Sequence, residues 1–354
     1  MKHRITYLLT AVLLASVAFV SSAQAAFSKV GSTGAAFLKI GVGRSTAMGD
    51  AFVAIADDPS AAYFNPAGLA RVSRTIQVNH VNWIADVNHD NLTFVLPLTS
   101  FGTIAVNVTA LTMGQIEQTT IDNPNTTIRE DEGTGLFFSA SDMAVGVSYA
   151  RIITDKLSFG FTGKVITQTV WDMSASAFGF DLGLLYNTGF KSLRIGAAVT
   201  NYGTQLAFTG RELDYSFSWP DSGPSQINGS YSTTPVGLPT NFRFGIAYDI
   251  IEAQNPDKDS RLTAALDINH PSDINETVNF GLEYGIANAF FLRGGYVLNT
   301  DNSYQDELGW STGICAGLGA RAKPVHGLSI GLDYTFRYFE YLKPTHRLQL
   351  TVGF

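Results

Sequence analysis

The sequence predicts an all-β protein: a transmembrane antiparallel β-barrel of about fourteen strands with a small N-terminal helical plug. Three observations predict it. From Arg74 onward, apolar residues alternate with small or polar ones in segments of roughly ten residues. The linkers between segments are short and long by turns, and an export leader precedes them all.

The leader comes first. Lys2, His3 and Arg4 form a charged start, Ile5 to Val20 an apolar run, and Ala23-Gln24-Ala25 a small-residue cleavage site. Residues 1–25 are therefore expected to be a signal peptide and Ala26 the start of the mature chain. No cysteine stands directly after the cleavage site, which argues against a lipoprotein.

Residues 26–73 form the expected plug, or hatch. Small residues dominate Gly31-Ser32-Thr33-Gly34-Ala35-Ala36 and Gly41-Val42-Gly43. Ala47, Met48, Ala51, Phe52 and Ile55 then recur at helical spacing, and Asp57-Asp58-Pro59 stops that helix. Ser60 is placed to cap a short turn through Phe64, and Asn65-Pro66-Ala67-Gly68-Leu69 reads as a tight turn. A segment this rich in small residues fits a narrow space such as a barrel lumen.

Residues 74–354 form the barrel. Leu92, Phe94, Leu96 and Leu98 alternate with Thr93, Val95 and Pro97; Phe178, Phe180, Leu182 and Leu184 alternate with Gly179, Asp181, Gly183 and Leu185. The same pattern recurs at 104–109, 157–164, 242–249, 278–285 and 328–337. Weaker segments at 74–84, 141–151, 193–203, 261–270, 288–299, 309–321 and 345–354 complete an even set, which puts both chain ends on the periplasmic side. Linkers after even strands are mostly short, and those after odd strands include the two longest, 113–140 and 204–238. Trp83, Trp171, Tyr202 and Trp310 fall at the outer ends, and Tyr149, Tyr186, Tyr248 and Tyr284 at the inner ends, where aromatic girdles belong. The last strand alternates Leu348, Leu350 and Val352 and stops on Phe354, which resembles the signal read by the barrel-assembly machinery.

By parity Arg243, Arg293, Arg337, Arg347, Lys164, Asp181, Asp249, Asp267, Glu283 and Asp333 point into the lumen, where charges of both signs form ion pairs rather than select an ion. The net charge of −7 becomes −9 without the leader, 21 basic residues against 30 acidic, and gives no reason to expect nucleic acid. Cys315 is the only cysteine, so no intramolecular disulfide and no cysteine-cluster metal site is expected. The six histidines fall in no zinc-protease motif, and neither a nucleophile elbow nor a phosphate loop occurs; the expectation is no enzyme and no cofactor.

The stretch Gly43-Arg44-Ser45-Thr46-Ala47-Met48-Gly49-Asp50-Ala51-Phe52-Val53-Ala54-Ile55-Ala56-Asp57-Asp58-Pro59-Ser60-Ala61-Ala62-Tyr63-Phe64-Asn65-Pro66-Ala67-Gly68-Leu69-Ala70 resembles the opening of the PorV/PorQ family, relatives of the FadL-type fatty-acid transporters that share the Asn-Pro-Ala element in an N-terminal hatch. Asp50 departs from the resemblance, since glycine is usual there. The resemblance implies a fourteen-stranded FadL-like barrel in the outer membrane. It also implies work in type IX-like secretion, with cargo bearing a C-terminal signal domain docking on loops 113–140 and 204–238. The alternative is a FadL-like transporter of hydrophobic small molecules, which requires an apolar cavity beside the plug. Asp57, Asp58, Asn65 and Pro66 are the candidate latch or ligand-lining residues, and Phe354 the assembly signal. The expected partners are outer-membrane lipid, the assembly machinery, and either such cargo or a hydrophobic small molecule.

Overall fold

The computed structural model describes residues 29, 32–119, 133–218, 226–253, 259–300, 310–325 and 327–354. The expected signal peptide, Ala26 and the tips of both long loops lie outside them.

Fourteen strands form the wall: β1 Thr75–Asn82, β2 Asn88–Leu98, β3 Gly102–Thr112, β4 Ala140–Ile152, β5 Leu157–Val170, β6 Met173–Asn187 and β7 Arg194–Gly203. They continue as β8 Asn241–Ile251, β9 Ser260–Pro271, β10 Thr277–Ile286, β11 Phe290–Asn299, β12 Ile314–Val325, β13 Leu328–Arg337 and β14 Thr345–Gly353. Each pairs antiparallel with its neighbours in sequence. The barrel closes where β1 meets β14, in register from Thr75↔Gly353 to Asn82↔His346. Closure leaves no unpaired edge, which a bilayer demands because it offers no water to backbone groups.

The wall is apolar outside and polar inside. Leu348 is 51% exposed, whereas its neighbours Arg347 and Gln349 face inward at 1% and 2%. Phe178, Phe180, Leu182 and Leu184 likewise face out while Ala177, Asp181 and Leu185 face in. Exposing such a belt to water would be unfavourable; against lipid tails it is stable, which makes this a membrane-spanning barrel. No helix among the described residues is long and apolar enough to cross a membrane; the strands do so.

The two ends of the barrel differ. One, the turn end, carries the connections 99–101, 153–156, 188–193, 252–259, 287–289 and 326–327. The other, the loop end, carries 113–139 and 204–240, each containing a small hairpin: Ile116–Thr119 with Gly133–Phe138, and Asp214–Ser218 with Gln226–Ser230. Trp171 and Tyr202 are exposed at the loop end, as girdle residues should be. Trp83 departs from that expectation. It turns into the mouth, with the Arg347 guanidinium 5.7 Å from its ring centre. The strand expected from residue 309 begins at Ile314, after a 3-10 turn at Trp310–Gly313.

Two expectations about the plug are corrected. The helix expected through Ala47–Ile55 is one turn, Gly43–Ala47, and then the chain breaks. Gly49 and Asp50 both take left-handed backbone angles, with φ of 64° and 61°. Residues of this segment are buried on every side, so the apolar spacing records enclosure rather than one helical face. The second correction concerns direction. Lys29 donates to the Pro271 carbonyl at 2.8 Å and pairs with Glu276 at 2.9 Å, both at the loop end. Phe354 lies at the turn end, its amide donating to the Arg74 carbonyl. The start of the described chain and its C-terminus are therefore at opposite ends, not on one side, because the plug threads the whole lumen.

Candidate functional site

The candidate site is the plugged lumen. Wall glycines make room for the plug. A Cβ on Gly160 or Gly183 would collide with Pro66 and Asn65, one on Gly196 with Val53, and one on Gly295 with Met48 and Gly49. These positions share the luminal parity of their strands, so their missing side chains form the track along which the plug backbone lies. Asn65 fixes the turn-end stretch. Its side-chain Nδ2 donates to the Val53 carbonyl at 2.8 Å and the Leu184 carbonyl at 3.0 Å, and its Oδ1 accepts from the Ala67 amide. Pro66 opens a 3-10 helix, Pro66–Arg71, where its missing N–H costs nothing.

Charge fastens the middle. Arg44, on the plug, is buried against Asp57, Asp58 and the wall residue Glu283. Its Nε lies 2.6 Å from an Asp58 oxygen in a charge contact that lacks hydrogen-bond alignment. Glu283 also accepts from Arg293 at 2.7 Å and Arg261 at 2.8 Å, and Arg293 reaches on to Asp333 at 2.5 Å. Most of the expected luminal charges thus pair across signs, whereas Arg243, Asp267 and Arg347 have no ion-pair partner among the described residues. Asp50, the departure from glycine, sits in the left-handed region that Asp tolerates better than most residues, and contacts Thr46 and Arg337. A second fastening lies under the closing seam: Arg347 of β14 donates to the Gly41 carbonyl and Gln349 of β14 accepts from the Arg44 amide. Gly43 presses against both Gln349 and Asn79 of β1.

A cavity lies between plug and wall, in the half of the lumen nearer the loop end. Its volume is about 160 Å³. Leu38, Tyr63 and Phe64 of the plug line one side; Asn241, Arg243, Asn269, Asn279 and Val297 of β8 to β11 line the other. A strap over 32–39 crosses the mouth above it: Lys39 pairs with Asp273 at 2.7 Å, Thr33 donates to the same carboxylate, and the Gly34 amide donates to the Gly237 carbonyl.

Comparison with known proteins bears on this arrangement. Residues 12–108, the plug with β1 and β2 and most of β3, match the model of an uncharacterised protein family, UPF0164. Among curated proteins no sequence match was found. Among solved structures, a Pseudomonas aeruginosa FadL homologue superposes with a TM-score of 0.53 at 13% identity, covering 89% of this chain and 98% of that one. A deltaS2 mutant of the TodX monoaromatic hydrocarbon channel gives 0.53 at 12% identity, covering 83% and 92%. Its deltaS2S3 mutant gives 0.51 at 12%, covering 82% and 92%. The chain shares the fold of these barrels.

The predicted residues distribute over this barrel as follows. Asp57 and Asp58 come together on Arg44, a partner from the plug itself. Asn65 and Pro66 sit on the glycine track, away from the cavity, and Phe354 closes the turn end with Arg74 over its ring at 5.8 Å. Ser60 does begin the helix Ala61–Phe64, without a side-chain cap; its hydroxyl accepts from Gln77 and its amide donates to Asp58. Sequence reasoning missed Arg44 as the hub and the cavity altogether. The glycines at luminal parity were its available signal for a close-fitting plug.

Proposed function

We propose that this protein is an outer-membrane transporter of small hydrophobic or amphipathic molecules, opened by displacement of its N-terminal plug. One observation carries the reading: a closed barrel holds its own plug and, beside it, a partly apolar cavity near the loop end. The cavity lies beside the plug, where a transporter needs one, but its lining is mixed rather than apolar: Leu38 and Val297 face Arg243, Asn241, Asn269 and Asn279. The fold shared with a FadL homologue and a monoaromatic hydrocarbon channel supports the same reading. On it, residues 1–25 are a cleaved signal peptide, the loop end faces outward, the turn end faces the periplasm, and Phe354 is read by the assembly machinery. The chain has no enzymatic role in this reading.

The PorV/PorQ-like reading, cargo docking in secretion, has narrower support. It rests on the plug motif and on the exposed Leu136 and Phe137 of the loop-end hairpin. The deciding experiment measures uptake of a labelled monoaromatic hydrocarbon by cells with and without the protein. A parallel strain carries Gly34→Cys and Val236→Cys in a Cys315→Ser background, which ties the strap to the loop. Uptake should require the protein, stop when the tie is oxidised and return on reduction. Equal uptake with and without the protein would sink the transporter. Co-purification of a secreted protein with a C-terminal signal domain would move the assignment to docking.

A further inference from the structure

The cavity contains a buried cation with nothing to hold. Arg243 is 8% exposed, yet no carboxylate lies within 4 Å of its guanidinium and it donates no hydrogen bond to any described residue. Its face rests on the Phe64 ring, 4.9 Å from the centre. The neighbouring cations are committed: Lys39 to Asp273 and Arg337 to Asp50. The nearby carboxylate of Asp267 is turned to the plug, one oxygen accepting the Phe52 and Val53 amides at 2.7 and 2.8 Å. Buried guanidinium groups are rarely left so, because the desolvation is recovered only through a charged or strongly accepting partner.

The rest of the lining repeats the pattern with the opposite polarity. The side-chain oxygens of Asn241, Asn269 and Asn279 are buried and accept from no described residue. Asn269 and Asn279 are 7% and 4% exposed. A carboxamide oxygen needs an N–H or O–H donor, and a guanidinium needs an acceptor. Leu38, Ile274, Val297 and the Tyr63 ring supply an apolar remainder. The volume, about 160 Å³, matches the roughly 150 Å³ at which an engineered cavity takes up benzene. A long alkyl chain does not fit there while the plug is in place.

We propose that this cavity binds a small hydroxylated monocarboxylate of one-ring size, its carboxylate on Arg243, its hydroxyl on the asparagine oxygens and its apolar body against Leu38 and Val297. The proposal deepens the transporter reading and rests on it for the route of entry, though not for binding itself.

The test titrates the full chain, purified in detergent, with four probes: 4-hydroxybenzoate, its neutral isostere 4-hydroxybenzamide, toluene and palmitate. Hydroxybenzoate should bind tightest, with the amide at least about tenfold weaker, the size of a lost charge-assisted hydrogen bond. Arg243→Gln should weaken hydroxybenzoate by a similar factor and leave the amide unchanged. The amide comparison uses the unaltered protein, so a misfolded variant does not block the test. Equal binding of acid and amide would overturn the proposal, as would tighter binding of toluene or palmitate, or no binding of any probe. Toluene binding with protein-dependent uptake would leave the transporter reading standing. Binding of the acid with no uptake of any probe by cells would do the reverse.

Discussion

Arg44 is the residue on which plug retention should depend most. Replacing it by Met keeps much of the apolar stem and removes the charge. Glu283 would still hold Arg293 and Arg261, so the wall keeps its own pairs. Asp58 would keep only the Ser60 amide, in a site where its side chain is 7% exposed. Stranding one buried carboxylate of this kind costs about 3–5 kcal/mol. The lower figure multiplies the equilibrium for plug release by roughly a hundred. Hydrogen exchange of the amides in 44–56 reads that release directly, while the strand amides of β2 to β5 report on the wall. Exchange in the plug should rise by about two orders of magnitude and the strands should stay protected. Adding Asp58→Asn should recover much of the loss, because the stranded charge is then gone. Unchanged plug exchange in Arg44→Met would refute the view of this cluster as the fastening. A double variant no better than the single would refute the assignment of the cost to Asp58.

Three further outcomes are expected. Leu182→Arg places a charge on the lipid face and should lower stability by about 2–4 kcal/mol in urea unfolding from bilayers; no loss would mean that this face does not meet lipid. Gly183→Val should push the Asn65–Pro66 turn off the wall, seen as new protease cuts within 60–70 with the barrel still folded; a protected plug would show that the glycine track is incidental. The strap should loosen in acid. Burial raises the Asp273 and Glu276 carboxyls, but the hydrogen bonds from Lys39 and Thr33 on one and Lys29 on the other outweigh it, so both titrate below the usual range. Lowered values mean that their contribution is full above a pH of roughly 4–5 and is lost as pH falls through those values. A spin label at Ser32 should gain mobility over that fall, and constant mobility once both carboxyls are shown by NMR to be protonated would contradict the strap.

The wall was legible in the sequence because lipid and lumen impose opposite demands on alternate residues. Phe180 and Asp181 cannot exchange places, so parity locates strand, face and even the lengths of the connections. The plug obeys no such rule. Ala47, Met48 and Phe52 are enclosed whether the chain is helical or not, and their spacing therefore carried no information about shape. Its direction was hidden for a related reason: nothing local to Lys29 says that its partners are Pro271 and Glu276, more than two hundred residues away. The partnering of Asp57 and Asp58 with Arg44 is equally a matter of a fold-back that no short pattern encodes. Arg243 stood among the inward-facing charges, yet its isolation could be recognised only after every neighbour had been assigned.

The seam between β1 and β14 is braced from inside by the plug. Gly41, Gly43 and Arg44 lie beneath the two strands that must find each other last in sequence, touching Asn79 on one and Arg347 and Gln349 on the other. Losing the plug would therefore remove contacts from both strands of the closing pair at once.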